Sequence, residues 1–235
     1  MKSATLTIIV SLFLLNGVLA QDSLRTKHHL IFKIAPLSMF DLDNTFQFAT
    51  EHRLRSNRWT LSEEFGYGNV KANIWGESFA DSKFRETFRA KIELRRYKRE
   101  QAFMGRYIAY EAFYKQINDR MNRNIGRECE NGNCNYFEYA NYPVNKYVIG
   151  LTAKLGYQLR IRDESKKNTK FVFDFYVGAG VRRIIVNHHY DQTLTSGSFI
   201  YYSDGIFSNS GLGYRDKAYN IPHLALGLKI GYIIF

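Results

Sequence analysis

Proline and cysteine are scarce in this chain. Three prolines and two cysteines among 235 residues exclude a collagen-like repeat and a disulfide-dense scaffold. Beyond Ala20 no apolar run approaches the roughly 20 residues a helix needs to cross a bilayer. Mean hydropathy is −0.35, which also argues against a bundle of membrane helices. No segment sustains a period near 3.6 residues, so amphipathic helices are not expected. The ligand sets of a structural zinc site are missing as well. So is a serine, histidine and carboxylate at one depth, the set that lipid hydrolysis requires. No catalytic residue, metal site or cofactor is expected, and the chain reads as a non-enzyme.

Aromatics and cations are what the chain has in excess. It holds 17 Tyr, 18 Phe and 2 Trp, and its 33 Lys+Arg against 22 Asp+Glu give a net charge of +11. Such a balance suits nucleic-acid binding in principle, but the N-terminus directs the chain elsewhere. Met1-Lys2, an apolar run over 4–15 and Val18-Leu19-Ala20 have the layout of a secretory leader cut after Ala20. The expected mature domain is 21–235, in an oxidising compartment and away from nucleic acid. There Cys129 and Cys134, with Asn131-Gly132 between them, read as a local disulfide. The cations gather at three short connections: Arg53, Arg55 and Arg58; Arg95, Arg96, Lys98 and Arg99; Arg160, Arg162, Lys166 and Lys167. Their expected partners are anionic lipid headgroups.

The recurring pattern is period two. Eight stretches alternate, among them those around Phe32, Phe48, Phe65, Ile92, Tyr110, Leu151, Phe175 and Leu228. Each reads as a strand of an antiparallel sheet. Long and short connections alternate between them, the longest at 117–145 and 187–222. This is the pattern of an all-β, eight-stranded, up-and-down transmembrane barrel whose termini share one side. A soluble sandwich or lipocalin-like barrel alternates too, but its charges point outward. Here one parity is aromatic and aliphatic, while the other mixes glycines with Lys33, Glu51, Glu64, Arg89, Lys91, Glu93, Arg95, Glu111, Lys115, Lys154, Asp174, Arg182 and Lys229.

Those thirteen charges are expected inside, paired across neighbouring strands, with Glu93 and Arg95 set against Glu111. Eight strands enclose only enough space for side chains, so the expected lumen is filled. On the apolar parity an aromatic girdle is expected at two depths. Trp59, Tyr157 and Tyr232 lie at one end, and Phe46, Tyr67, Tyr114 and Tyr147 at the other. Glu63 has the outward parity, which calls for a bulge or an interfacial position.

The segments IFKIAPLSMFD (31–41), RWTLSEEFGYG (58–68), FRAKIELRRY (88–97), RYIAYEAFYKQIN (106–118), KFVFDFYVGAGVR (170–182) and LALGLKIGYIIF (224–235) carry a resemblance over nearly the whole mature chain. They resemble a family of small outer-membrane β-barrels of Bacteroidota, similar to the OmpA transmembrane domain. The resemblance implies a fold and a place in a Gram-negative outer membrane, with both termini periplasmic, and no reaction. The closing residues Leu228, Ile230, Tyr232 and Phe235 look like the signal that barrel-assembly machinery reads, although Phe235 is out of step with the other three. The expected function is structural or surface-interacting, through the long outer loops. The alternatives are a narrow gated pore and a component of an envelope transport or secretion machine.

Overall fold

The computed structural model describes residues 30–41, 43–70, 84–98, 103–130, 133–162, 168–189, 199–200 and 216–234. The leader at 1–20 and Phe235 lie outside the described residues. Alternating segments become strands throughout, because branched and aromatic side chains pack on a pleated surface. These are β1 (Leu30–Ile34), β2 (Phe46–Arg53), β3 (Trp59–Asn69), β4 (Glu86–Tyr97), β5 (Gly105–Glu130), β6 (Asn133–Arg162), β7 (Asn168–His188), β8 (Phe199–Ile200) and β9 (Lys217–Ile233). A 3-10 turn over Pro36–Phe40 follows β1, and no α-helix occurs among the described residues.

All strands belong to one antiparallel sheet of nine. Its order is β1–β2–β3–β4–β5–β6–β7–β9, and β9 pairs back onto β1, so eight strands close a ring. The count exceeds the expected eight by β8, which pairs with Ile125 and Gly126 of β5 and stands outside the ring. Two residues are too few to show alternation, which is why the sequence hides it.

The ring is much taller on one side. β5 and β6 stay paired from Gly105↔Gln158 as far as Glu130↔Asn133. The connection expected at 117–145 is therefore a two-stranded ribbon. β7 and β9 remain paired up to Val186↔Lys217, so both ends of the loop expected at 187–222 are strand as well. β1 meets β9 only from Ile31↔Ile233 to Ile34↔Ile230. Past that seam β9 has no strand on its second side among the described residues. Pro222 falls in this stretch, opposite Val181. Ile234 N donates towards β1, and Pro222 shares that even-numbered direction, so its missing N–H faces the open edge and costs no ladder bond.

β3 keeps an unbroken register with β2 and β4. Glu63 is thus on the outer wall without a bulge, and the register irregularity falls instead between Arg160 and Arg162.

Polarity reverses along the tall strands. Inside the ring, Lys154 and Lys229 are buried while Leu155 and Leu226 are 61% and 79% exposed on the outer wall. Beyond the row Ile149–Arg183–Asn220 the inward side chains include Met121, Tyr142, Val144, Ile184 and Val186, packed with Val148 in one buried apolar cluster beside the buried Asp119. The outward ones there include exposed polar residues, Arg120, Asn141, Arg183 and Asn220, alongside the exposed Tyr139 and the half-buried Ile185.

Candidate functional site

Ten of the thirteen sequence-predicted charges converge in the interior of the ring. Below it lies an apolar floor made of Ile31, Phe103, Val172 and Ile233, all buried. Phe103 comes from the β4–β5 turn, where a φ of 70° turns the chain inward. Its carbonyl accepts from Gln158 Nε2 at 3.0 Å.

Above the floor, Lys33 reaches Glu51 at 2.5 Å and Asp174 at 2.8 Å. Arg95 contacts the same two carboxylates at 3.1 and 2.6 Å and a third, Glu93, at 2.6 Å. Hydroxyls complete the carboxylate shells. Tyr97 and Thr60 donate to Glu51 at 2.8 and 2.6 Å, and Tyr107 donates to Asp174 at 2.5 Å. Glu93 links this group to the next, where Lys154 contacts Glu93 at 3.2 Å and also Glu111. Lys229 lies 2.5 Å from Glu64 and 3.8 Å from Glu93, and Lys91 lies 2.5 Å from Glu64. Five cations (Lys33, Lys91, Arg95, Lys154, Lys229) thus meet five carboxylates (Glu51, Glu64, Glu93, Glu111, Asp174). The cluster is neutral, as a desolvated interior requires.

Pairing between neighbouring strands is present in Lys33–Glu51, Lys91–Glu64 and Lys154–Glu111, but the expected pairing of Arg95 with Glu111 is not made. Glu93 and Glu111 face each other across β4 and β5, and Arg95 faces Ala109, so Arg95 turns away from Glu111. The decisive contacts cross the ring. Arg95–Asp174 joins β4 to β7, and Lys229–Glu64 joins β9 to β3, each with two strands between. A side chain reaches across only because the ring is narrow, and strand alternation carries no information about what lies opposite.

Arg89 and Lys115 sit higher and belong to a separate group that the sequence reading missed. The β1–β2 connection turns inward so that Asp41 meets Arg89 at 2.7 Å and Asp43 meets Lys115 at 2.5 Å. Arg85 closes on Asp43 at 2.7 Å. Burial alone would raise the Asp43 carboxyl, but Lys115 and Arg85 outweigh it and hold it down at about 2. The available signal was the pair of acids, Asp41 and Asp43, in the β1–β2 connection. Arg182, opposite Gly150, forms no ion pair among the described residues, and its buried Nε has no hydrogen-bond partner there.

Aromatics fill the space left by glycine. A Cβ at Gly156 would collide with the Tyr107 ring, and one at Gly227 with the Tyr176 ring. Tyr176 also lies under the Lys154 and Lys229 ammoniums, at 4.3 and 5.4 Å from its centroid, an arrangement that favours the cation. On the outer wall Phe46 pairs in register with Tyr67. Tyr114 stacks on Tyr147 at 6.5 Å, and Tyr232 meets Phe171 edge-on at 5.3 Å. Trp59 lies under Arg96, and Tyr157 is exposed. Leu228 and Ile230 share that wall with Tyr232 on β9.

At the ribbon tip Cys129 and Cys134 are register partners. Cys134 is disulfide-bonded, and the chain has one other cysteine, Cys129. The ribbon exposes Tyr136, Phe137 and Tyr139, and Arg127 bridges to Glu138 at 2.5 Å. Comparison with protein-family models, with curated proteins and with solved structures finds no match for this chain.

Proposed function

We propose that this chain is a plugged transmembrane β-barrel of a Gram-negative outer membrane, of the small OmpA-like kind that its sequence resembles. The polarity reversal along β5, β6, β7 and β9 carries the reading. An apolar outer wall around a charged interior suits hydrocarbon outside. Where the same strands project further, the buried apolar cluster on the inner side and exposed Arg120, Asn141, Arg183 and Asn220 on the outer side suit water outside. Within the closed part of the ring, strand pairing satisfies the backbone groups that lipid would otherwise meet.

The start of β1 at Leu30 and the end of β9 at Ile233 lie at the end of the ring opposite the ribbon, which supports placing both termini on the periplasmic side. In this reading Leu228, Ile230, Tyr232 and Phe235 present β9 to the assembly machinery. The role is structural and surface-interacting. The cross-ring ion pairs, the apolar floor and the buried outer cluster close the lumen, and the ribbon offers Tyr136, Phe137 and Tyr139 to an extracellular partner.

The test is reconstitution of the purified chain into vesicles and planar bilayers. Flotation with the vesicles and an absence of steady conductance are expected. Steady openings would replace the plug with the narrow-pore alternative, and failure to float would end the membrane reading.

A further inference from the structure

A trough of about 1080 Å³ crosses the outer wall of the ring. Its two ridges are rows of directly paired residues running perpendicular to the strands. One is Ile108–Leu155–Val177–Leu226, and the other is Arg106–Tyr157–Phe175–Leu228. Between them run Tyr107, Gly156, Tyr176 and Gly227, which belong to the inward parity and leave only backbone on the outer side. The trough is therefore a depression with a bare floor and, apart from Arg106 at one end, apolar banks. Crossing four strands at about 4.8 Å each, it is about 15 Å long before it leaves the sheet.

Its two ends differ. At the β9 end Leu37 of the 3-10 turn lines it, where β9 lacks a strand on its second side. At the other end four cations converge. Arg96 pairs with Ile108 at the end of the first ridge, and Arg106 ends the second. The Lys98 N–H donates to the Arg106 carbonyl at 2.9 Å, and the Tyr97 N–H donates to the Arg58 carbonyl at 2.8 Å. These backbone bonds hold Lys98 and Arg58 beside the other two. None of the residues lining the trough is a carboxylate.

We infer that this trough is a specific site for one anionic phospholipid. Acyl chain lies between the apolar banks from Leu37 towards Ile108, and the phosphate of the headgroup meets Arg58, Arg96, Lys98 and Arg106. Guanidinium forks suit phosphate oxygens, while the bare floor removes apolar chain from competition with other lipid. The inference rests on the membrane reading and narrows it from a general attraction to one site. The lipid comes from the leaflet on the side of the short turns, which in that reading is the phospholipid leaflet.

The experiment is native mass spectrometry of the full mature chain in detergent, titrated with dioleoyl phosphatidylglycerol or dioleoyl phosphatidylcholine. One phosphatidylglycerol is expected to stay bound, with at least tenfold preference over phosphatidylcholine. The variant R58Q/R96Q/K98Q/R106Q should bring that preference below twofold. L155W, which fills the trough, should cut retention of the lipid at least fivefold while leaving the four cations in place. Glycerol 3-phosphate, which has the anion without the chains, should not displace it. Equal retention of the two lipids by the natural chain, unchanged preference in the quadruple variant, or displacement by glycerol 3-phosphate would each overturn the inference. If the quadruple variant does not fold, the natural chain and L155W still decide it. A chain that floats with vesicles yet shows no preference loses this site alone, whereas one that does not float loses the membrane reading itself.

Discussion

The inward faces of β5, β6, β7 and β9 carry two different interiors along one strand. In the ring they hold Glu111, Lys154, Asp174 and Lys229, all buried, and beyond it Met121, Val144, Ile184 and Val186, also buried. Both interiors exclude water, but they hold the fold together by different means. The apolar one gains from area removed from water and tolerates imprecise partners. The charged one gains little net over an apolar core, yet it fails badly when a single member is lost. Its benefit is specificity, because the cations and carboxylates satisfy one another in one arrangement, with Arg95–Asp174 and Lys229–Glu64 crossing the ring.

The largest effect is expected from removing the hub of the charged interior. Arg95→Met leaves Glu51, Glu93 and Asp174 short of a cation and should cost about 3–5 kcal/mol, read as the unfolding midpoint in detergent. The outer interior should give way more gently. Ile184→Ala creates a cavity and should cost about 2–4 kcal/mol, with the ring still intact by its heat-modifiable mobility. If Arg95→Met proves the milder of the two, the charged layer is wet and the contrast between the interiors collapses.

Glu111→Ala sharpens the same contrast. Taken as the neighbour-paired acid the alternation suggests, Glu111 would be as costly to lose as Arg95. Lys154 retains Glu93 at 3.2 Å, so the loss should be smaller, about 1–3 kcal/mol. Glu138→Ala, on the exposed ribbon, should cost no more than about 1 kcal/mol even though Arg127 lies beside it.

The smallest effect depends on pH. Asp43 has a folded value of about 2 and an unfolded value of about 4. Its depressed value makes the contribution fully present above the unfolded value and lost as pH falls through the folded one. The stability difference between the natural chain and Asp43→Asn should therefore be constant above pH 5 and shrink between about pH 4 and pH 2. A difference that stays flat down to pH 2 would show that Asp43 does not anchor the β1–β2 connection to Lys115 and Arg85.

Alternation made most of this fold legible. It shows which residues point inward on every ring strand, because side-chain direction has a period of two whatever the sheet does next. It could not show how far β5 and β6 continue, since Asn122, Arg123, Asn124 and Gly126 are weak strand formers and the ladder there persists through backbone bonds. The cysteines around Asn131-Gly132 were the better clue, because that dipeptide is a strong two-residue hairpin signal. Nor could alternation reveal that Arg95 reaches Asp174, which depends on ring diameter and stagger, or that Asp41 and Asp43 fold in to hold Arg89 and Lys115. Phe103 was hidden for a similar reason, as a turn residue whose positive φ aims it under the ring.

The central claim is that the reversal of polarity marks the boundary between hydrocarbon and water. Single-cysteine labelling tests it directly, with a fluorophore at Leu155→Cys on the outer wall of the ring or at Asn141→Cys on the projecting sheet, in vesicles. Predicted are quenching of the Leu155 site by brominated acyl chains with protection from an aqueous quencher, and the opposite at Asn141. Free access of the aqueous quencher to both sites would contradict the account.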